Sequence, residues 1–112
     1  MAYQNITPVK FGVQAISTGS TDTVYTVPAS TRSLLKDIAI ANTTAAPVSV
    51  TVYLVPSAGS PTTSNQLFPA VSIAGNSIVQ WNGVQVLNTG DSIRTTATAV
   101  GCTGHFSGGE AI

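Results

Sequence analysis

The stretch Ser33–Val55, SLLKDIAIANTTAAPVSVTVYLV, decides how the rest of the chain is read. In its second half Val48, Val50, Val52 and Leu54 share one parity, while Ser49, Thr51 and Tyr53 take the other. Successive side chains of a strand point to opposite faces, so this period of two marks a strand with one apolar face. In the first half Leu34, Ile38 and Ile40 share a parity. Between the halves, Asn42-Thr-Thr-Ala-Ala-Pro47 supplies turn formers, and Pro47 removes a backbone donor where the second strand should begin. The pattern predicts an antiparallel hairpin with one apolar face. A lone hairpin is marginal in water, so the remaining chain has to cover that face with a second surface.

Outward from this stretch, short apolar runs recur between turn signals. Lys10 to Ile16 reads as a strand with Phe11, Val13 and Ala15 on one parity; Thr23 to Val27 reads as another, ended by Pro28. Ser57 to Ser64 is the most loop-like segment. Pro69 makes Gln66 to Ile73 an edge strand or a covering segment, because proline cannot donate to a ladder. Ser77 to Trp81 is followed by Asn82-Gly83, which fits either a tight turn or a bulge before Val84 to Leu87. Ser92 to Val100 alternates with either parity able to face inward, and Thr103 to Ser107 with Glu110 to Ile112 forms the last strand or strands. No helical period of useful length appears. These features predict an all-β protein: an antiparallel sandwich of about eight strands, of Greek-key or jelly-roll type. Residues 1–9 read as an extended N-terminal arm and 10–112 as a single sandwich domain.

Composition narrows the function classes. Charged residues make up 7% of 112 residues, with four basic and four acidic side chains cancelling. A nucleic-acid footprint needs clustered Lys and Arg, so nucleic acid is not an expected partner. The polar surface is instead mostly hydroxyl, with 16 Thr and 12 Ser. Hydrophobic residues reach 43%, too many for a disordered chain. Near-zero net charge favours association, which suits a subunit of an assembly better than a free monomer. No apolar run is long enough to span a bilayer, and the N-terminus lacks the features of a secretory signal, so no membrane partner is expected and the chain is expected to be made and kept in the cytoplasm, or to leave by lysis.

Candidate chemistry is sparse. Cys102 is the only cysteine, which excludes an intrachain disulfide and reads as a small buried hydrophobe. His105 is the only histidine; with Cys102 it falls short of the ligand count of a structural zinc site, and nothing nearby in sequence orients the two as nucleophile and base. Asp22, Asp37, Asp91 and Glu110 lie in separate segments, and Asp91 after Gly90 reads as a turn residue accepting local N–H bonds. No catalytic, metal or cofactor-binding residues are therefore assigned, and no cofactor is expected. Trp81 is expected in the core. Tyr53, opposite the apolar parity, and Tyr3 and Ile6 in the arm are candidate contact residues. Lys36 falls on the parity of Leu34 and Ile38, in conflict with an apolar inner face, and is either a snorkelling stem or a contact between subunits.

Three runs carry a family resemblance: V-Y-T-V-P-A-S-T-R-S-L-L-K-D-I-A-I-A-N-T-T from Val24, V-S-V-T-V-Y-L-V-P from Val48, and L-N-T-G-D-S-I-R from Leu87. Over about Val24 to Arg94 the sequence resembles small virion proteins of tailed bacteriophages. The resemblance implies a small β-sandwich attached to a capsid as a decoration or cement protein, or built into a tail, baseplate or fibre. It implies a homo-oligomer, such as a trimer, binding the major capsid protein or other virion proteins, and no catalytic residues. A tail or fibre location would instead suit recognition of host surface carbohydrate through exposed aromatics.

Overall fold

The computed structural model describes residues 6–111. Eight strands fill it: β1 (Ile6–Ala15), β2 (Asp22–Thr26), β3 (Arg32–Asn42), β4 (Val48–Val55), β5 (Gln66–Ile73), β6 (Ser77–Leu87), β7 (Ser92–Ala97) and β8 (Cys102–Ala111), with one 3-10 turn at Thr63–Asn65. They form two four-stranded antiparallel sheets, β1-β8-β3-β6 and β2-β7-β4-β5. The first strand pairs with the last, the second with the seventh, the third with the sixth and the fourth with the fifth. A single long ribbon, doubled back at β4 and β5 and rolled up, produces this order. It is a jelly roll.

The predicted hairpin does not form. β3 and β4 lie in opposite sheets, and Asn42 to Pro47 carries the chain across the sandwich. Both strands have an apolar face, and stacking those faces buries both, whereas edge pairing would leave them side by side on one surface. Ile38 and Ile40 of one sheet and Val50 and Val52 of the other have no exposed surface. They share one core with Phe11, Leu35, Phe68, Ile93 and Phe106. The Ile and Val that carry these two faces suit a pleated, half-buried surface.

Strict alternation fails at bulges in β1, β3 and β6, and the register also shifts at Val24 in β2. In β3 the register slips between Leu35 and Asp37, so Leu35 and Ile38 both point into the core while Lys36, the extra residue, stays exposed. Leu35, not Leu34, is the core residue. The conflict posed by Lys36 is thereby removed: one bulge residue changes the parity of everything before it. In β1 a slip at Phe11 buries that ring and leaves Val13 exposed, which separates two residues expected on one face. In β6 the Asn82-Gly83 signal resolves as a bulge inside one strand: Gly83 and Val84 stand against Lys36 alone. β5 is an edge strand, with its ladder broken around Pro69 and Ala70 at φ 49°. Residues 6–9, read as part of an extended arm, make up the start of β1 and pair with Gly108 to Ala111.

The sheet-to-sheet crossover depends on the buried amide of Asn42. Its Nδ2 donates to the Ala46 carbonyl at 2.8 Å and the Ile73 carbonyl at 3.1 Å, and its Oδ1 accepts from the Thr44 amide and hydroxyl. Thr43 N–H donates to Gly101 O and Asn76 N–H to Thr44 O, so the loops after β3, β5 and β7 are tied together. Gly101, at φ 116°, passes so close to Thr44 that a Cβ there would collide with its methyl group. At the opposite end Asp91 accepts from the Asn88 and Ser57 amides, while Val27 exchanges backbone bonds with Asp91 and Gly90.

Asn42→Ala leaves buried carbonyls without donors and should cost about 2–4 kcal/mol in chemical denaturation. Thr95 gives the opposite test, because its fully buried hydroxyl has no hydrogen-bond partner. Thr95→Val should raise stability by about 0.5–1 kcal/mol in the same measurement.

Candidate interaction surface

Cys102 is buried and points inward on β8, whereas His105 is exposed on the outer face. An odd spacing of three along a strand puts the two on opposite faces, so no ion and no substrate meets both. Burial raises the Cys102 thiol above its ordinary value, consistent with a packed, unreactive side chain. Among the described residues no three His, Cys, Asp or Glu side chains cluster closely enough to hold a metal ion.

Besides Asn42, a polar cluster links the sheets. The Tyr25 hydroxyl on β2 donates to Glu110 on β8, and the Ser33 hydroxyl on β3 lies 2.7 Å from the same oxygen. Because the tyrosine has one proton and gives it to the carboxylate, Ser33 is the donor in the second bond. The Tyr25 ring packs against Phe11 with centroids 4.3 Å apart. Burial, reinforced by the Glu110 carboxylate, pushes the Tyr25 hydroxyl up to about 12. Glu110 lies 85 positions from Tyr25, and no local motif signals their meeting.

The candidate contact residues divide between surfaces. Tyr3 lies outside the described residues. Ile6 is more than half exposed at the start of β1, an edge of the first sheet. Lys36 is exposed in the β3 bulge of that same sheet. Tyr53, half-buried, belongs to the other sheet, where it stands opposite Arg94 and Gln66. Trp81, expected in the core, reaches it only partly, from the edge strand β6. Sequence reasoning passed over the remaining exposed apolar residues of the first sheet, Val13 on β1 and Ile78, Val84 and Val86 on β6. A signal for the β6 group exists: Ser77–Leu87 is an eleven-residue strand without a single charge, and edge strands ordinarily carry charges that deter pairing.

Several open depressions mark the surface beside candidate contact or exposed apolar residues. One, of about 460 Å³, is lined by Pro8, Val9 and Lys10 of β1, Lys36 of β3, and Ser107 and Gly108 of β8. Another, of about 520 Å³, lies between the edges β5 and β6 and includes Leu54, Asn65, Gln66, Gln85 and Leu87. Tyr53 lines neither.

No protein-family model matches the chain, and no curated protein matches its sequence. Solved structures do match in fold. The chain is similar to the VP2 subviral particle of infectious bursal disease virus, with a TM-score of 0.52 and 11% identity, over 96% of this chain and 32% of that one. It is also similar to the structure of the Gx strain of the same virus, with a TM-score of 0.55, 11% identity and the same coverage. Only the fold is shared. The chain spans about a third of the length of those neighbours, and both come from infectious bursal disease virus rather than from a tailed bacteriophage.

The Tyr25 cluster predicts a pH dependence. The folded-state value lies above the unfolded value of 10.0, so this contribution to stability is complete below about pH 10 and is lost as pH rises through about 12. Tyr25→Phe should cost about 1–2 kcal/mol at neutral pH and flatten the alkaline limb of a stability-against-pH curve.

Proposed function

We propose that the chain is a non-enzymatic structural protein of a virus particle, most simply a bacteriophage capsid decoration protein that binds and stabilises the shell of major capsid protein. The observation that carries this reading is the edge of the first sheet. Ile78, Val84 and Val86 line an uncharged edge strand, and Ile6 lies at the opposite edge, all more than half exposed. Apolar side chains arrayed along open strand edges are a liability in a free monomer and a binding surface in an assembly. The jelly roll, which recurs in viral capsid domains, supports the reading, as do the few charges and the sequence resemblance.

In this role the protein oligomerises with copies of itself, as a trimer or otherwise, and bridges neighbouring shell subunits by burying apolar surface. Each bridge adds an interaction made in the assembled shell and absent from the dissociated one, so it raises the free energy needed to open the shell. A tail, baseplate or fibre location with recognition of host carbohydrate draws less support, since its principal aromatic candidate, Tyr53, is half-buried and lines neither depression.

Particles assembled without the protein should open at lower temperature or lower chaotrope concentration, and adding purified protein should restore the wild-type threshold. Mass spectrometry that finds the protein missing from purified mature virions overturns the reading.

A further inference from the structure

Half of the basic side chains of this chain lie beside one groove. Lys10 stands opposite Ser107 in the β1·β8 ladder, and Lys36 is the bulge residue of β3 where it passes the same Ser107 and Gly108. The bulges at Phe11 and Lys36 interrupt the ladders on both sides of β8, and the depression opens there. Its floor has no bulky side chain. Gly108 admits none, since a Cβ at that position would collide with the Leu34 carbonyl oxygen. Pro8, Val9 and the lysine stems make the rest of the lining largely apolar, and no carboxylate lines it. The nearest acid in sequence, Asp37, faces the amides of Asn82 at 2.7 Å and Gln80 at 3.3 Å, which hold its carboxylate toward β6.

We propose that this groove docks an extended acidic segment of a partner polypeptide, with Lys10 and Lys36 each meeting a carboxylate. Charge complementarity selects the occupant: two ammonium groups without an acidic lining residue, on a chain of zero net charge, attract a negatively charged partner locally and not through the field of the whole molecule. Spacing fits an extended chain. The two lysines stand on either side of β8, about 10 Å apart at the backbone given strand spacings near 4.8 Å, and carboxylates at i and i+2 of an extended segment lie about 7 Å apart. Flexible lysine stems close the difference. Both edges of β8 are already paired, to β1 and to β3, so side chains and not an added ladder hold the segment. The inference deepens the decoration reading, on which it rests for the identity of the partner as a shell protein.

The test has two arms. In the first, purified protein is titrated by fluorescence anisotropy with a labelled peptide carrying Glu at alternate positions, with its Gln counterpart, and with a single-stranded oligonucleotide of equal charge. The Glu peptide should bind, the Gln peptide should not, and the double variant Lys10→Glu/Lys36→Glu should weaken binding at least about tenfold, with the effect shrinking as salt is raised. Both lysines are exposed, so the variant should melt as the wild type does; Lys10→Gln/Lys36→Gln, without charge reversal, should give an intermediate loss. Equal binding of the oligonucleotide, or undiminished peptide binding by the double variant, overturns the proposal. In the second arm wild type and double variant are added to particles lacking the protein. Loss of particle binding by the variant alone supports the groove. Equal binding by both overturns the groove and leaves the decoration reading standing, whereas failure of both to bind, with the peptide arm positive, counts against the decoration reading alone.

Discussion

The apolar faces of β3 and β4 can be covered economically only by each other, and the rest of the molecule follows from that constraint. Ile38 and Ile40 share one core with Val50 and Val52 of the opposite sheet because the five residues between the strands carry the chain from one sheet to the other. Once these two strands are in different sheets, each partner is determined in turn. β5 pairs beside β4, β6 returns beside β3, and the outer strands close the roll. Asn42 holds the crossover in place: its buried amide satisfies carbonyls of two loops that would otherwise be stranded away from water.

The bulges connect this fold to its surface. A bulge adds a residue to one strand, which shifts parity and leaves that residue unpaired. At Lys36 it buries Leu35 and Ile38 together and expels a lysine, and at Phe11 it buries a ring and turns Val13 outward. The same two irregularities flank Ser107 and Gly108, so the features that complete the core also open the groove on the outer face. Stability and recognition thus share a cause here, and substitutions at Gly108 would affect both, since no side chain fits beside the Leu34 carbonyl.

The polar ties inside lie at the two ends of the sandwich and in a cluster between its sheets. Asn42 and Asp91 fix opposite ends of the sandwich through backbone donors and acceptors both near and distant in sequence, and both lie in motifs visible in the sequence, N-T-T and G-D. The Tyr25, Glu110 and Ser33 cluster joins three strands from two sheets and leaves no trace in sequence, because 85 positions separate Tyr25 from Glu110. It closes the open side of the roll between β1 and β2 with a hydrogen-bonded carboxylate where Phe11 packs beneath.

The sequence by itself determined the class of fold, the positions of the strands and the residues that end them. Alternation in Val48 to Leu54, the prolines at 28, 47 and 56 and the glycine-rich turns act locally, over distances that a single sequence records. It determined too that Cys102 and His105 had little to work with. What only the tertiary structure decided is which strands lie side by side and which face each other, since the parity rule names an inner face without naming its partner. Lys36 is the sharpest case. Strict alternation puts it in the core, and the bulge that excludes it exists because β3 must match β8 on one side and β6 on the other, with registers contributed by residues some fifty to seventy positions away. The groove between Lys10 and Lys36 has the same origin. Its two lysines are brought to either side of β8 by a strand order that no local pattern specifies.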